Sequence, residues 1–75
     1  MGQTVEVVAP VPGLVSNVVA PAGTPVAEGD TVVVLQSMKT EIAVATEQAG
    51  TVDTVHVSEG QEVDIGAVLA TVRTT

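Results

Sequence analysis

Short valine-rich runs, separated by glycine, proline and carboxylate residues, make up most of the chain. Apolar and polar positions that alternate over such a run mark a strand with one buried face. Alternation is clearest at Val55-His56-Val57, where it turns both valines inward and His56 outward. The runs predict strands near Val5–Ala9, Leu14–Val19, Thr31–Gln36, Glu41–Ala45, Thr51–Val57 and Val68–Val72. Brief extended segments near Val26 and Val63 bring the expected count to about eight. Pro10, Pro12, Pro21 and Pro25 fall between or beside these runs, where a missing N–H costs least. The triplet Val32-Val33-Val34 breaks the alternation and reads as a strand at one edge, covered on both sides. No helical period of useful length occurs. The expected fold is all-β: a flattened barrel or sandwich of two four-stranded antiparallel sheets packed face to face.

A repeat organises these elements. Gly13, Val15, Val18, Gly23, Val26 and Gly29 recur 37 residues later as Gly50, Val52, Val55, Gly60, Val63 and Gly66. Val32 then matches Leu69, and Leu35 matches Val72, with no insertion. Glycine adopts positive φ at little steric cost, so glycines at fixed spacing mark fixed turns. Two units are too few for an open solenoid. The expectation is one domain over residues 1–75, its half-repeats at about 5–38 and 42–75 folded against each other around a pseudo-two-fold axis.

Composition narrows the function classes. The chain has no Phe, Tyr, Trp or Cys, while valine occurs 18 times, so the core is thin and β-branched. Without cysteine there is neither a disulfide framework nor a thiolate metal site. Two basic residues, Lys39 and Arg73, stand against nine acidic ones. That balance repels nucleic-acid phosphates and anionic lipid, and favours basic protein surfaces. No apolar run approaches the roughly 18 residues that span a bilayer, and a cytoplasmic location is the default expectation. No catalytic residue is expected: Ser37 has no nearby base, and the single His56 lies about half the chain away. Glu28, Asp30, Glu59, Glu62 and Asp64 cluster near turns without a cation-binding loop spacing, and read as solvated carboxylates.

One residue stands apart. Lys39 is the only lysine, and it follows Met38 in Gln36-Ser37-Met38-Lys39-Thr40-Glu41, the link between the halves. Antiparallel strands ending at Leu35 and starting at Ile42 need a tight hairpin there, with Met38-Lys39 at its tip. The pair lacks the Asn-Gly or Asp-Gly signal of such turns; the repeat, whose axis passes between the halves, is what places it at one end. A lysine there offers the amine that forms amides, on a flexible stem. Met38 beside it has little core to fill and suits a surface that an enzyme grips.

Those residues carry a family resemblance that covers positions 4 to 73. The chain resembles the biotinyl domain of biotin-dependent carboxylases, the biotin carboxyl carrier module, and is similar to the lipoyl domains of 2-oxo acid dehydrogenase complexes. Both are internally duplicated flattened barrels of about this length. The biotinyl branch carries Glu-Ala/Ser-Met-Lys-Met in an exposed hairpin, with biotin in amide linkage to the lysine. Ser37, Met38, Lys39 and the trailing Glu41 fit, and Ala9-Pro10-Val11-Pro12-Gly13 resembles the Ala-Pro-x-x-Gly opening. Gln36 replaces the usual Glu, and Thr40 the second Met. Lipoyl domains have Asp before the lysine, so Met38 favours biotin. Equal spacings from Val18 to Gly29 and from Val55 to Gly66 leave no room for the thumb insertion of some bacterial carriers.

The resemblance implies covalent biotin on Lys39, with Gln36, Ser37, Met38, Thr40 and Glu41 as flanking recognition residues and no metal. It implies a noncatalytic carrier that moves a carboxyl group between biotin carboxylase and carboxyltransferase sites, after loading by biotin protein ligase. Two alternatives stand beside it: a lipoyl carrier with lipoate on Lys39, and an unmodified barrel that serves as an interaction module. The acceptor substrate is not encoded here, because it belongs to the transferase.

Overall fold

The computed structural model describes residues 3–74. They form strands β1 (Gln3–Val8), β2 (Gly13–Val18), β3 (Pro25–Val26), β4 (Thr31–Ser37), β5 (Thr40–Ala45), β6 (Gly50–Val55), β7 (Glu62–Val63) and β8 (Val68–Thr74). Two four-stranded antiparallel sheets result, ordered β1-β8-β6-β3 and β5-β4-β2-β7. The expected all-β architecture is therefore the observed one. The expected domain, 1–75, also includes Met1, Gly2 and Thr75, which lie outside the described residues.

Adding 37 to the bounds of β1, β2, β3 and β4 gives the bounds of β5, β6, β7 and β8. Each such pair also has the same sequence of buried and exposed positions. Even the irregularities correspond. Ser16 is the extra residue where β2 meets β4, and Asp53 is the extra residue where β6 meets β8. Val32 is skipped between β4 and β5, and Leu69 between β8 and β1. A bulge turns the skipped side chain back toward the same face as its neighbour. Val32 and Val33 are consequently both fully buried, as are Leu69 and Ala70.

This corrects the reading of Val32-Val33-Val34 as an edge strand. β4 lies inside its sheet, between β5 and β2, and Val34 is half-buried. The alternation fails because of the bulge, a feature of pairing that the local pattern does not show. Val57 is buried and His56 exposed as expected; Val55 is half-buried, and β6 ends there, before Val57.

Among the described residues, fifteen buried apolar side chains, mostly valine, fill the space between the sheets. The half-repeats exchange volume at two positions: Val32 corresponds to Leu69, whereas Leu35 corresponds to Val72. Each half thus contributes one leucine and one valine there, conserving the total.

The molecule is elongated, about 40 × 17 × 17 Å. β7 pairs with Gly13 and Leu14 of β2, and Leu14 in turn lies beside Gln36, close to the β4–β5 hairpin. β8 begins five residues after β7 and runs away from that end. The pair Gln3–Thr74, where β1 and β8 meet, therefore sits at the opposite end from the hairpin.

Candidate functional site

β4 and β5 stay in regular register from Val34–Ala43 down to Ser37–Thr40, leaving a two-residue loop, Met38 and Lys39. Both have positive φ, 47° and 71°. Positive φ at both central residues is the mark of a type I′ turn, whose twist matches that of the strands it joins. For residues with a Cβ this backbone costs roughly 1–2 kcal/mol each. The ladder below the loop holds it in place. Strain of this kind, at residues that are neither glycine nor asparagine, marks a site where side-chain identity outweighs turn preference.

The turn throws both side chains into solvent. Met38 is 95% exposed, so it neither folds back over the sheet edge nor fills core. Lys39 is exposed, and among the described residues it makes no ion pair or side-chain hydrogen bond. Gln36 and Glu41 face each other one pair further in, both exposed, and Ser37 is half-buried opposite Thr40. All six residues singled out from sequence thus lie on one hairpin.

The base of the hairpin is fixed by a contact that sequence reading did not assign. A Cβ built on Gly13 would meet the Gln36 carbonyl oxygen at 2.8 Å. Only glycine lets β2 approach β4 that closely, directly below the tip. Gly13 was visible as one of the repeated glycines, but what it approaches depends on cross-strand register. The same register brings Leu14 and Glu62 beside Gln36, and no local motif announced that either.

Other polar groups lie elsewhere. His56 is exposed just past β6, its Nε2 2.8 Å from Thr71 Oγ1. On the same sheet, Arg73 donates to Asp53 at 2.9 Å. That pair helps line an open depression of about 340 Å³ with Gly23, Thr51 and Val52. Of the turn acids, Asp30 accepts from the Ala27 N–H and Glu59 from the Val18 N–H.

The class defined by this geometry is a small two-sheet sandwich that displays one amine on a rigid hairpin. The model of the biotin/lipoyl family, described as "biotin-requiring enzyme", matches residues 5–72, and the chain belongs to that family. Over 64 residues, 85% of the chain, it is 39% identical to a biotin carboxyl carrier protein of Streptococcus mutans and covers 49% of it. Over the same length it is 38% identical to a pyruvate carboxylase of Bacillus subtilis, covering 6% of that protein. It thus spans half or less of these relatives. Among solved structures, the urea carboxylase of Kluyveromyces lactis superposes with a TM-score of 0.89 at 27% identity, over 93% of this chain and 6% of that one. A single-chain, multi-domain long-chain acyl-CoA carboxylase gives 0.87 at 32% identity, over 95% of this chain and 7% of the other.

Proposed function

We propose that this chain is a biotin carboxyl carrier domain, with biotin joined through an amide to Lys39. The observation that carries the reading is the placement of the only lysine on a strained, fully projecting hairpin, in a chain whose relatives include a biotin carboxyl carrier protein. The residues fit the group: an exposed amine with no ion-pair partner among the described residues is free to be acylated. The carboxylases among the relatives and structural neighbours favour biotin over lipoate.

When attached, biotin would supply a ureido nitrogen that accepts and releases a carboxyl group. The chain's own contribution is mechanical. The paired strands hold the hairpin in place, and the four-methylene stem of Lys39 provides the movement. Tethering replaces two diffusional captures of free cofactor with an effective concentration in the millimolar range. In this reading the domain is a noncatalytic component. Its partners are a biotin protein ligase, a biotin carboxylase and a carboxyltransferase.

Intact mass after coexpression with biotin protein ligase tests the assignment. The wild-type chain is expected to gain the mass of biotin minus water on Lys39, and Lys39→Arg none, because arginine keeps the charge without the acylable amine. The variant's stability is expected to stay within about 0.5 kcal/mol of wild type. Biotin retained in K39R, or a lipoyl increment in its place, would refute it.

A further inference from the structure

The two halves of the chain hold each other, and one short loop joins them. Among the described residues, only the β2–β4 and β6–β8 pairings lie within a half. β1–β8, β2–β7, β3–β6 and β4–β5 each join one half to the other. The buried residues of both halves likewise form a single cluster. The loop is Met38-Lys39, both residues at positive φ and Met38 95% exposed. Each half can therefore meet its complement from a second copy of the chain. Every one of those pairings is then kept, and only the loop changes.

The strand register shows what the loop becomes. From Val33–Val44 to Ser37–Thr40 the β4–β5 pairs step one residue along each strand without a break. One further step, taken between two copies, sets Met38 of each against Lys39 of the other. No chain is left over, so β4 and β5 merge into one continuous strand, and the ladder runs unbroken from one body into the next. An extended strand has negative φ, so the opening removes the left-handed backbone at both residues. Short hinge loops under strain invite this kind of exchange. The hairpin lies at one end of a body of about 40 × 17 × 17 Å, so the two bodies continue end to end.

We infer that a second copy of this chain is a partner: two chains exchange half-repeats by opening Met38-Lys39, and the dimer withdraws Lys39 from acylation. The withdrawal rests on the carrier reading above; the exchange does not. Joining two chains costs translational and rotational freedom, so concentration sets the balance against relief of the turn. Exchange also requires the halves to part, and the shared core with them. The dimer therefore forms while chains fold together and reverts slowly afterwards. In it Lys39 stands mid-strand, with a body on each side beginning within about 7 Å, two residues of extended chain. An enzyme pocket that takes a free-standing tip cannot close over it.

The absence of cysteine makes the test clean. Glu6 and Thr71 are partners across β1 and β8, one from each half, at a Cα separation that a disulfide spans. The full chain carrying Glu6→Cys and Thr71→Cys is refolded at micromolar and at millimolar concentration, oxidised and run on a non-reducing denaturing gel beside size exclusion of wild type. Millimolar refolding is expected to give a dimer on the column whose crosslinks join two chains; the monomer's crosslink stays within one. Met38→Val, which disfavours positive φ and suits a strand, is expected to raise the dimer fraction at least fivefold. Met38→Asn with Lys39→Gly, which suits the tight turn, is expected to lower it at least fivefold. The isolated wild-type dimer is expected to take biotin from purified ligase at least tenfold more slowly than the monomer. Wild type and Met38→Val both remaining monomeric at millimolar concentration, dimers with crosslinks only within chains, or an Asn-Gly variant that dimerises as wild type does would overturn the exchange. A dimer loaded as fast as the monomer would overturn the withdrawal. A monomer that takes no biotin would remove the carrier reading and the withdrawal with it, while the crosslinks still decide the exchange.

Discussion

At the scale of single residues, the hairpin tip is a compromise between backbone and chemistry. Met38 and Lys39 both occupy the left-handed region, where glycine and asparagine are at home. Met38→Asn should therefore stabilise the domain, by up to about 1 kcal/mol, and slow the attachment reaction. Denaturant melts and ligase initial rates on one preparation measure both; a destabilised variant would show that the strain is not where φ places it. The residue scale is also where sequence was most informative about the site. A single lysine beside an exposed methionine, with an apolar run on each side, was enough to select Gln36 to Glu41. The turn type was hidden, because I′ geometry is normally announced by Asn-Gly or Asp-Gly, and here the strand register imposes it on residues that do not prefer it.

Among the elements, the close approach of neighbouring strands is what fixes the hairpin. Gly13 lies under the Gln36 carbonyl, and its counterpart Gly50 lies still closer under the Arg73 carbonyl. Replacing either by alanine forces a Cβ against backbone that has nowhere to move. A cost of about 1–3 kcal/mol is expected, larger for Gly50→Ala than for Gly13→Ala. Only Gly13→Ala should also slow biotin attachment, because only it displaces the strand that carries the tip. Thermal melts alongside attachment rates check both statements, and equal attachment rates would separate the glycine from the site. The strand positions followed well from the valine runs, most within one or two residues. The bulges did not, since an unpaired residue such as Val32 or Leu69 is defined by its partner strand.

For the whole molecule, two matched halves share one thin core. Val15 and Val52 are corresponding residues, each 1% exposed. Val→Ala at either is expected to cost about 1–3 kcal/mol, the transfer of two methyl groups plus the cavity left behind. Val18 and Val55, also a corresponding pair, face inward beside Val33 and Ala70 but are only half-buried, at the margin of the core, so the same change there should cost less. Urea melts of the four variants test this ordering. A large inequality between Val15→Ala and Val52→Ala would mean that the halves do not share the load as their common burial pattern indicates.

Two things followed from the sequence by itself. Valine-rich runs broken by glycine and proline determined an all-β sandwich, because that pattern buries one side of a short strand and nothing else. The lone lysine in the link between the half-repeats determined the candidate site. Tertiary structure decided the rest. Register made the loop two residues long and put both of them at positive φ. It turned the Val32 position into a bulge inside a sheet, and it gathered Leu14, Gln36, Glu41 and Glu62 from four strands into one row. The physical reason is common to all three. Side-chain periodicity is local and can be read along the chain, whereas register depends on which strand lies alongside, and that is settled only when the two halves close over a shared core.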